Sequence, residues 1–544
     1  MASATMLPIR GEKGGVRRMT ISKWLPVGDI LSVLAVNDPT KEAIADKTNR
    51  YTFREWDERS NRIANALADR GVGHGDRFAI LARNCVEWME CYAAAAKGGQ
   101  IAVPVMFRLA PPEIEYIVNH SECKAFIVAE EFIQTVEAMK TRLPVPEGNY
   151  VYVGDGEPPE GYVSYETMMA QGGPGKPDAV VDGDDVWTFM YTSGTTGRPK
   201  GVVRTHESYI AQYVLNDINV GVRPEDRVML VMPMCHVNSI FYSFAYTYVG
   251  ASCFVYDMIR FDPEDLLRTI DQERITFTSL VPTHYIMMLS LPDTVKNQYD
   301  VSSIRQLLIS SAPARKDTKR EIMGYFKNAE LWEAYGSTEA GLVTLLRPEE
   351  QMEKLGSIGK EIFGTGRIKI LDENRREVPV GEVGELFSRT PMIFKEYWKD
   401  PEKTQAVFEG EWFSAGDMAR RDEDGYYYLV DRKANMVITG GENVYPSEIE
   451  SVLGPHPAVK DVAVIGVPDQ KWGEAVKAVV IPHDTYTPSD DLGKEIIQWC
   501  RGKIAGYKLP KSVDFITDED MPRTGTGKIL HRILRERYGT WTEE

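Results

Sequence analysis

The chain has 544 residues, 43% of them hydrophobic, which is enough for roughly two to four domains with large buried cores and excludes disorder for most of its length. It carries 63 basic against 80 acidic side chains, a net charge of -17 that disfavours non-specific binding to nucleic acid or anionic lipid and leaves small molecules as the expected partners. Six dispersed cysteines (Cys85, Cys91, Cys123, Cys235, Cys253 and Cys500) form no C-x-x-C pair, so neither a zinc site nor a disulfide scaffold is expected, and a reducing cytoplasm is the expected location.

Met1 to Thr20 has basic residues but no apolar run of signal type, and no transmembrane segment is expected anywhere; residues 1–29 read as a loose arm. Thr52-Phe-Arg-Glu55 is a capping box, and Phe53, Trp56, Ile63, Ala66 and Leu67 follow at helical spacing, predicting a helix from about 53 to 70. Arg77–Leu81 predicts a buried strand, and Glu87–Lys97 an alanine-rich helix stopped by Gly98-Gly99. Alternation continues through 101–104, 112–119 and 125–128, the pattern of α/β layers around a mainly parallel sheet. Residues 154 to 185, rich in Gly, Pro and Asp, read as a connector.

The connector delivers the chain to a loop in which the strand-like Val186, Trp187, Phe189 and Met190 lead into Thr192, Ser193, Gly194, Thr195, Thr196, Gly197 and Lys200, with Val202 and Val203 resuming the strand. Glycines permit close backbone approach, hydroxyls donate hydrogen bonds and Lys200 adds a point charge, so the stretch suits a polyphosphate. It is not the Walker loop, because Pro199 and Gly201 stand where that motif requires Gly and Ser or Thr. Strands at 228–232, 277–281 and 306–310 and a helix at 263–273 restore the α/β rhythm. From about 357 to 431 short strands and turns suggest a small β-rich subdomain, and past Asp431 a smaller α+β unit begins, with helices near 446–453 and 490–504 and strands near 462–466 and 476–481; a domain boundary is expected at Arg432-Lys433-Ala434.

Four further clusters make sense beside a polyphosphate. Trp332 to Glu339 offers an aromatic for a flat base (Tyr335), a hydroxyl (Thr338) and a carboxylate for Mg2+ (Glu339), although alone it is equally a strand-end turn. Gly416-Asp417 ends an apolar lead-in with a carboxylate suited to ribose hydroxyls, or is simply a turn. Asp431-Arg432 precedes Thr439, Gly440, Gly441, Glu442 and Asn443, and Pro522 to Lys528 presents a lysine on a Gly/Thr loop or in a solvated basic tail.

These motifs, in this order and spacing, resemble the adenylate-forming superfamily of acyl-CoA synthetases, luciferases and adenylation domains, over about residues 30 to 535. The resemblance implies a fold with a large α/β-layered N-terminal domain (30–431, including the β-rich subdomain) and a small mobile α+β C-terminal domain (432–544), and it implies two half-reactions: a carboxylate displaces pyrophosphate from ATP to give acyl-AMP, then a thiol displaces AMP. It implies that Thr192 to Lys200 hold the outer phosphates, Tyr335 stacks on adenine with Ser311, Ala312 and Pro313 opposite, Thr338 lies near the α-phosphate, and Glu339 holds Mg2+. Asp417 and Arg432 would take the ribose, Lys528 would bridge carboxylate and phosphate, and Gly440 and Gly441 would flank the pantetheine tunnel after domain rotation. One departure stands out: Ala434 occupies the pivot, where the family usually has Asp or Lys.

Because the sequence ends soon after Lys528, free coenzyme A is the expected thiol, with an acyl-AMP ligase loading a carrier protein and a luciferase-like oxygenase as alternatives. No carboxylate stands near Cys235 to pair with an amino-acid ammonium, His236 resembles the gate of acyl-CoA synthetases, and Gly336, where acetate-specific relatives carry Trp, is expected to leave room for a larger acyl group. Met234, His236, Asn238, Phe241 and Val281 are the expected pocket residues. The expected activity is therefore an acyl-CoA synthetase for a short- to medium-chain, branched, unsaturated or cyclic acid, using ATP, Mg2+ and CoA, nearest in texture to medium-chain and crotonobetaine/carnitine CoA ligases, with a homodimer as the expected assembly.

Overall fold

The computed structural model describes residues 9–10, 16–17, 25–192, 199–257, 259–310, 314–439, 442–524 and 527–539. The predicted capping box forms: the Thr52 hydroxyl accepts from the Glu55 amide, the Glu55 carboxylate accepts from the Thr52 amide at 2.8 Å, and the helix they open runs Phe53–Asp69. Its apolar stripe is fully buried against the helix Val86–Gly98, which ends on Gly99 at φ 67. That second helix is buried almost all round, which explains its run of alanines, since small side chains let neighbouring layers approach on every side.

Two large sheets build the N-terminal part. The first runs in the order Glu396–Tyr397, Lys200–Thr205, Val186–Thr192, Ile101–Pro104, Arg77–Leu81, Cys123–Ala129, Tyr150–Val153, Val163–Ser164, parallel from Val186–Thr192 outward. The second has nine strands, with a parallel centre from Glu330–Ser337 through Gln306–Ile309, Phe277–Leu280, Arg227–Leu230 and Ser252–Val255 to Glu42–Ala45. One continuous core joins both sheets through the helices Phe53–Asp69, Val86–Gly98, His206–Asn216 and Val237–Tyr248. A four-stranded antiparallel sheet (Lys369–Leu371, Gly384–Phe387, Asp417–Arg421, Tyr427–Arg432) follows. In the last part, a sheet centred on Val459–Asp469 and Gly473–Pro482 carries the helices Pro446–Leu453 and Asp490–Trp499 on one core and His531–Tyr538 on another.

Three expectations are corrected. The connector 154–185 holds a short helix, Tyr165–Gln171, opened by the Ser164 hydroxyl accepting from the Thr167 amide; a helix this short shows little periodicity. The helix expected to 504 stops at Trp499, where Cys500 to Lys503 turn and Gly502 takes φ 76. The β-rich stretch is not one sheet, because Lys360–Glu361 extends the nine-stranded sheet and Glu396–Tyr397 extends the eight-stranded one.

After His206–Asn216 the chain makes a π-helical turn, Asp217–Gly221. Burial pushes the Asp217 carboxyl up to about 8, against a smaller opposing interaction with the Asn216 side chain. The unfolded chain releases this proton near the ordinary value of 3.8, so the folded state loses stability as pH rises from there towards 8. Asp217→Asn should match the wild-type melting temperature near the acid end of that window and exceed it by a margin that grows with pH and then levels off; a margin independent of pH in thermal unfolding would contradict this.

Candidate active site

The phosphate-loop strands form a hairpin in which Thr192 lies opposite Lys200; Ser193, Gly194, Thr195, Thr196 and Gly197 lie outside the described residues. The Lys200 ammonium sits 4.2 Å above the ring of Tyr397, whose hydroxyl donates to Glu339 Oε1 at 2.8 Å. Burial pulls the Lys200 pKa below its ordinary value, while the Glu339 carboxylate opposes that shift. Residues 394 to 398 assemble this group: the Lys395 and Trp398 amides donate to the Val203 and Gly201 carbonyls, and the Phe394 amide to the Glu339 carbonyl at 2.6 Å. Sequence reasoning missed Tyr397, whose only signal was the adjacent aromatic pair Tyr397-Trp398 in a stretch assigned to a separate subdomain.

Arg204, on the same hairpin, was also missed. Its side chain is fully buried between the rings of Tyr209 (4.7 Å) and Phe241 (5.3 Å), and it donates to the Thr338 carbonyl at 2.6 Å and to Ser208 Oγ at 3.1 Å. It makes no ion pair among the described residues, and burial lowers its pKa. A buried guanidinium held this way fixes the backbone between Thr338 and Glu339 rather than meeting solvent.

The Tyr335 hydroxyl donates to Asp417 Oδ2 at 2.6 Å, and Arg432 Nε pairs with Asp417 Oδ1 at 2.6 Å. Asp417 and Arg432 are directly opposite on neighbouring antiparallel strands, so register alone brings them together. Asp417 is buried, whereas half of the Arg432 side chain faces solvent and its Nη1 donates to the Ala415 carbonyl at 3.1 Å. Ser311, Ala312 and Pro313 lie outside the described residues.

A Cβ built on Gly336 would meet the Gly341 carbonyl oxygen at 2.2 Å, so the close approach of two strands at a bulge by itself requires the glycine.

Lys528 caps a tight loop, where its amide donates to Thr524 Oγ1 at 3.1 Å and its carbonyl accepts from the Thr524 amide at 2.7 Å. Its side chain is reached by solvent, and desolvation with the like charge of Arg432 lowers its pKa while Asp417 opposes them. His236 precedes the helix Val237–Tyr248; burial, with the positive charges of Lys528 and Arg108, pushes its imidazole down to about 4, so it is neutral at pH 7, and its Nε2 has no partner among the described residues. Gly440 and Gly441 lie outside the described residues.

Beyond His236, Asn238 donates to Ser279 Oγ at 3.0 Å and Ser310 Oγ at 3.1 Å, and those hydroxyls are 3.1 Å apart. Met234, Phe241 and Val281 are all buried, Met234 and Phe241 within the main core. No group of three or more His, Cys, Asp or Glu suited to a metal exists among the described residues. Mg2+ bound through phosphates needs only one or two carboxylates, so Glu339, with one oxygen engaged by Tyr397, fits that ion.

The model of the AMP-binding enzyme family matches residues 33–398, and that of the AMP-binding enzyme C-terminal domain matches 448–528. The chain is 36% identical to a feruloyl-CoA synthase of Amycolatopsis sp over 504 residues, 92% of this chain and 96% of that protein. It is 34% identical to the long-chain-fatty-acid–CoA ligase FadD13 of Mycobacterium tuberculosis, covering 94% of this chain and 98% of that one. Among solved structures, the anthranilate CoA ligase AuaEII in complex with anthranoyl-AMP superposes with a TM-score of 0.84 at 32% identity, covering 94% and 97% of the two chains. The chain therefore belongs to the family of AMP-binding enzymes. Within that family it is an AMP-forming acid:CoA ligase, a class that uses ATP and CoA.

Gly336→Ala should lower stability by about 1–3 kcal/mol, because the added carbon must push the Gly341 backbone away. Chemical denaturation would measure it; an unchanged midpoint with altered acid selectivity would favour the view of Gly336 as a pocket wall.

Proposed function

We propose that the acid is cyclic, of aryl type, within the wider class of short- to medium-chain, branched or unsaturated acids, and that the two domains divide at Arg432. The observation that carries the site assignment is the Tyr335–Asp417–Arg432 cluster, with both contacts to the buried carboxylate at 2.6 Å, to which the Lys528 ammonium is electrostatically coupled. In this arrangement the adenine lies against Tyr335 and the ribose hydroxyls meet Asp417 and Arg432. The Asp417 oxygens keep lone pairs to spare after their contacts with Tyr335 and Arg432. The outer phosphates occupy the hairpin between Thr192 and Lys200. Mg2+, when held by Glu339, neutralises phosphate charge.

A carboxylate oxygen of the acid forms a bond to the α-phosphorus as the bond to pyrophosphate breaks. Lys528, a point charge within reach of both groups, stabilises the negative charge as it shifts between oxygens, and Arg204 holds the Thr338 backbone beside it. The CoA sulfur, after losing its proton to solvent, then bonds to the acyl carbon and AMP leaves with the electron pair. The six cysteines are free thiols, as suits a cytoplasmic setting, and no described helix is long and apolar enough to cross a membrane.

The aryl preference rests on the Asn238 network. The two amide protons of Asn238 go to the two serine oxygens, and one serine proton goes to the other serine, so one hydroxyl proton remains for a ring substituent. Feruloyl and anthranoyl groups, named for two of the similar proteins, are aromatic acids bearing such substituents.

A panel of ferulate, anthranilate, octanoate, palmitate and acetate, read by pyrophosphate and AMP release with and without CoA, should give thioester most rapidly with an aromatic acid. Preference for palmitate would redirect the substrate class, and pyrophosphate without CoA-dependent thioester would redirect the reaction. Lys528→Ala should abolish pyrophosphate release while largely sparing thioester formation from supplied acyl-AMP. Equal loss in both steps would refute the role given to Lys528.

A further inference from the structure

The segment joining the large and small domains changes its anchorage within one residue. On the large-domain side, the Lys433 amide donates to the Gly416 carbonyl at 2.9 Å and its ammonium pairs with Glu385 at 2.9 Å. On the small-domain side, Arg535 donates through Nη1 to the Ala434 carbonyl at 2.8 Å and through Nη2 to the Asn435 carbonyl at 2.5 Å. The Ala434 side chain offers no polar contact, so its carbonyl serves as the anchor.

Arg535 lies in the helix His531–Tyr538, and that helix starts three residues after Lys528. The loop between them is closed on itself, with Arg523 bridging Ile529 and the Leu530 amide donating to the Pro522 carbonyl at 2.8 Å, so the position of the helix dictates that of Lys528. Other ties hold the helix to its own domain: His531 to Glu450 at 2.9 Å, the Tyr538 carbonyl to Lys477 at 3.0 Å, and the buried Leu534. Among the described residues, Arg535 is the tie from this helix to the connecting segment, and its planar fork, with one donor for each of two consecutive carbonyls, fixes direction as well as distance. Its Nε is buried with no partner among the described residues, so the whole grip rests on those two bonds.

We propose that Arg535 is a positioning residue for Lys528: it fastens the Lys528 loop and its helix to the carbonyls of Ala434 and Asn435, where the chain passes from the large domain to the small one. This rests on the synthetase reaction proposed above. Releasing the grip leaves Lys528 chemically intact but lets the small domain sample orientations in which the ammonium is away from Asp417 and Arg432. The step that needs Lys528 then suffers, and the step that does not is spared.

The test compares full-length wild type with Arg535→Ala, Arg535→Lys, Lys528→Ala and the double variant Lys528→Ala/Arg535→Ala. Hydrogen exchange at the amides of residues 433 to 437 needs no acid and should speed up in Arg535→Ala at unchanged global unfolding midpoint. With the fastest acid of the panel, pyrophosphate release should fall about tenfold in Arg535→Ala, recover in part in Arg535→Lys, and be no lower in the double variant than in Lys528→Ala, whereas thioester formation from supplied acyl-AMP stays close to wild type. Unchanged exchange at the segment, equal loss in both half-reactions, or additive loss in the double variant would overturn the proposal. If wild type released no pyrophosphate with any acid, the synthetase assignment would fail, and the exchange result would still decide whether Arg535 holds the segment.

Discussion

The Asp417 carboxylate is the point on which the site depends. It is buried, and a buried carboxylate is tolerated only where opposite charge and hydrogen bonds replace water. Tyr335 supplies one bond from the nine-stranded sheet, and Arg432 supplies an ion pair from the neighbouring strand of the four-stranded sheet. Two independently built layers are thereby locked at one carboxyl group. Its position also sets the start of the segment that leads to the small domain, since Arg432 ends the strand and Lys433 begins the crossing. Removing either partner would leave an incompletely satisfied charge in a low-dielectric setting, a heavier cost than the loss of a surface pair.

A second group of charges is arranged on different terms. Lys200, Tyr397 and Glu339 alternate cation, ring and carboxylate, with Arg204 behind them gripping the Thr338 carbonyl. The two cations have pKa values lowered by burial, so the free protein holds positive charge at a disadvantage there. A polyanion entering the hairpin would relieve that disadvantage. On the site reading proposed above, part of the affinity for phosphate would be stored in the unliganded fold as incomplete solvation of Lys200.

Much of this was legible in the sequence, because the elements and the linear motifs are short-range. The capping box at Thr52, the strand Arg77–Leu81 and the helix Pro263–Glu273 follow from spacing and turn residues within a dozen positions. Tyr335, Asp417, Arg432 and Lys528 could be singled out as motif members, but not the fact that Asp417 would be shared by Tyr335 and Arg432, which depends on sheet register. Arg204 looked like one more residue of an apolar strand, and Tyr397 belongs to a two-residue strand that joins a partner almost two hundred positions earlier. At Gly336, residue type alone says that space is needed beside the glycine; the backbone of Gly341 that fills it is a product of strand pairing. The adjacency of Glu42–Ala45 to Ser252–Val255 is likewise a product of global topology.

The strand Glu396–Tyr397 has a consequence for how the chain comes off the ribosome. Until it arrives, Lys200–Thr205 is a bare sheet edge, and the apolar Val202 and Val203 sit on it with unpaired backbone groups. Nearly half of the synthesis of the large domain takes place with that edge open, and the segment that closes it also delivers Tyr397 to Glu339. Closure of that sheet edge and delivery of Tyr397 to Glu339 are therefore a single event, so a chain stalled before residue 394 would display an adhesive edge and lack the Tyr397–Glu339 contact at the same time.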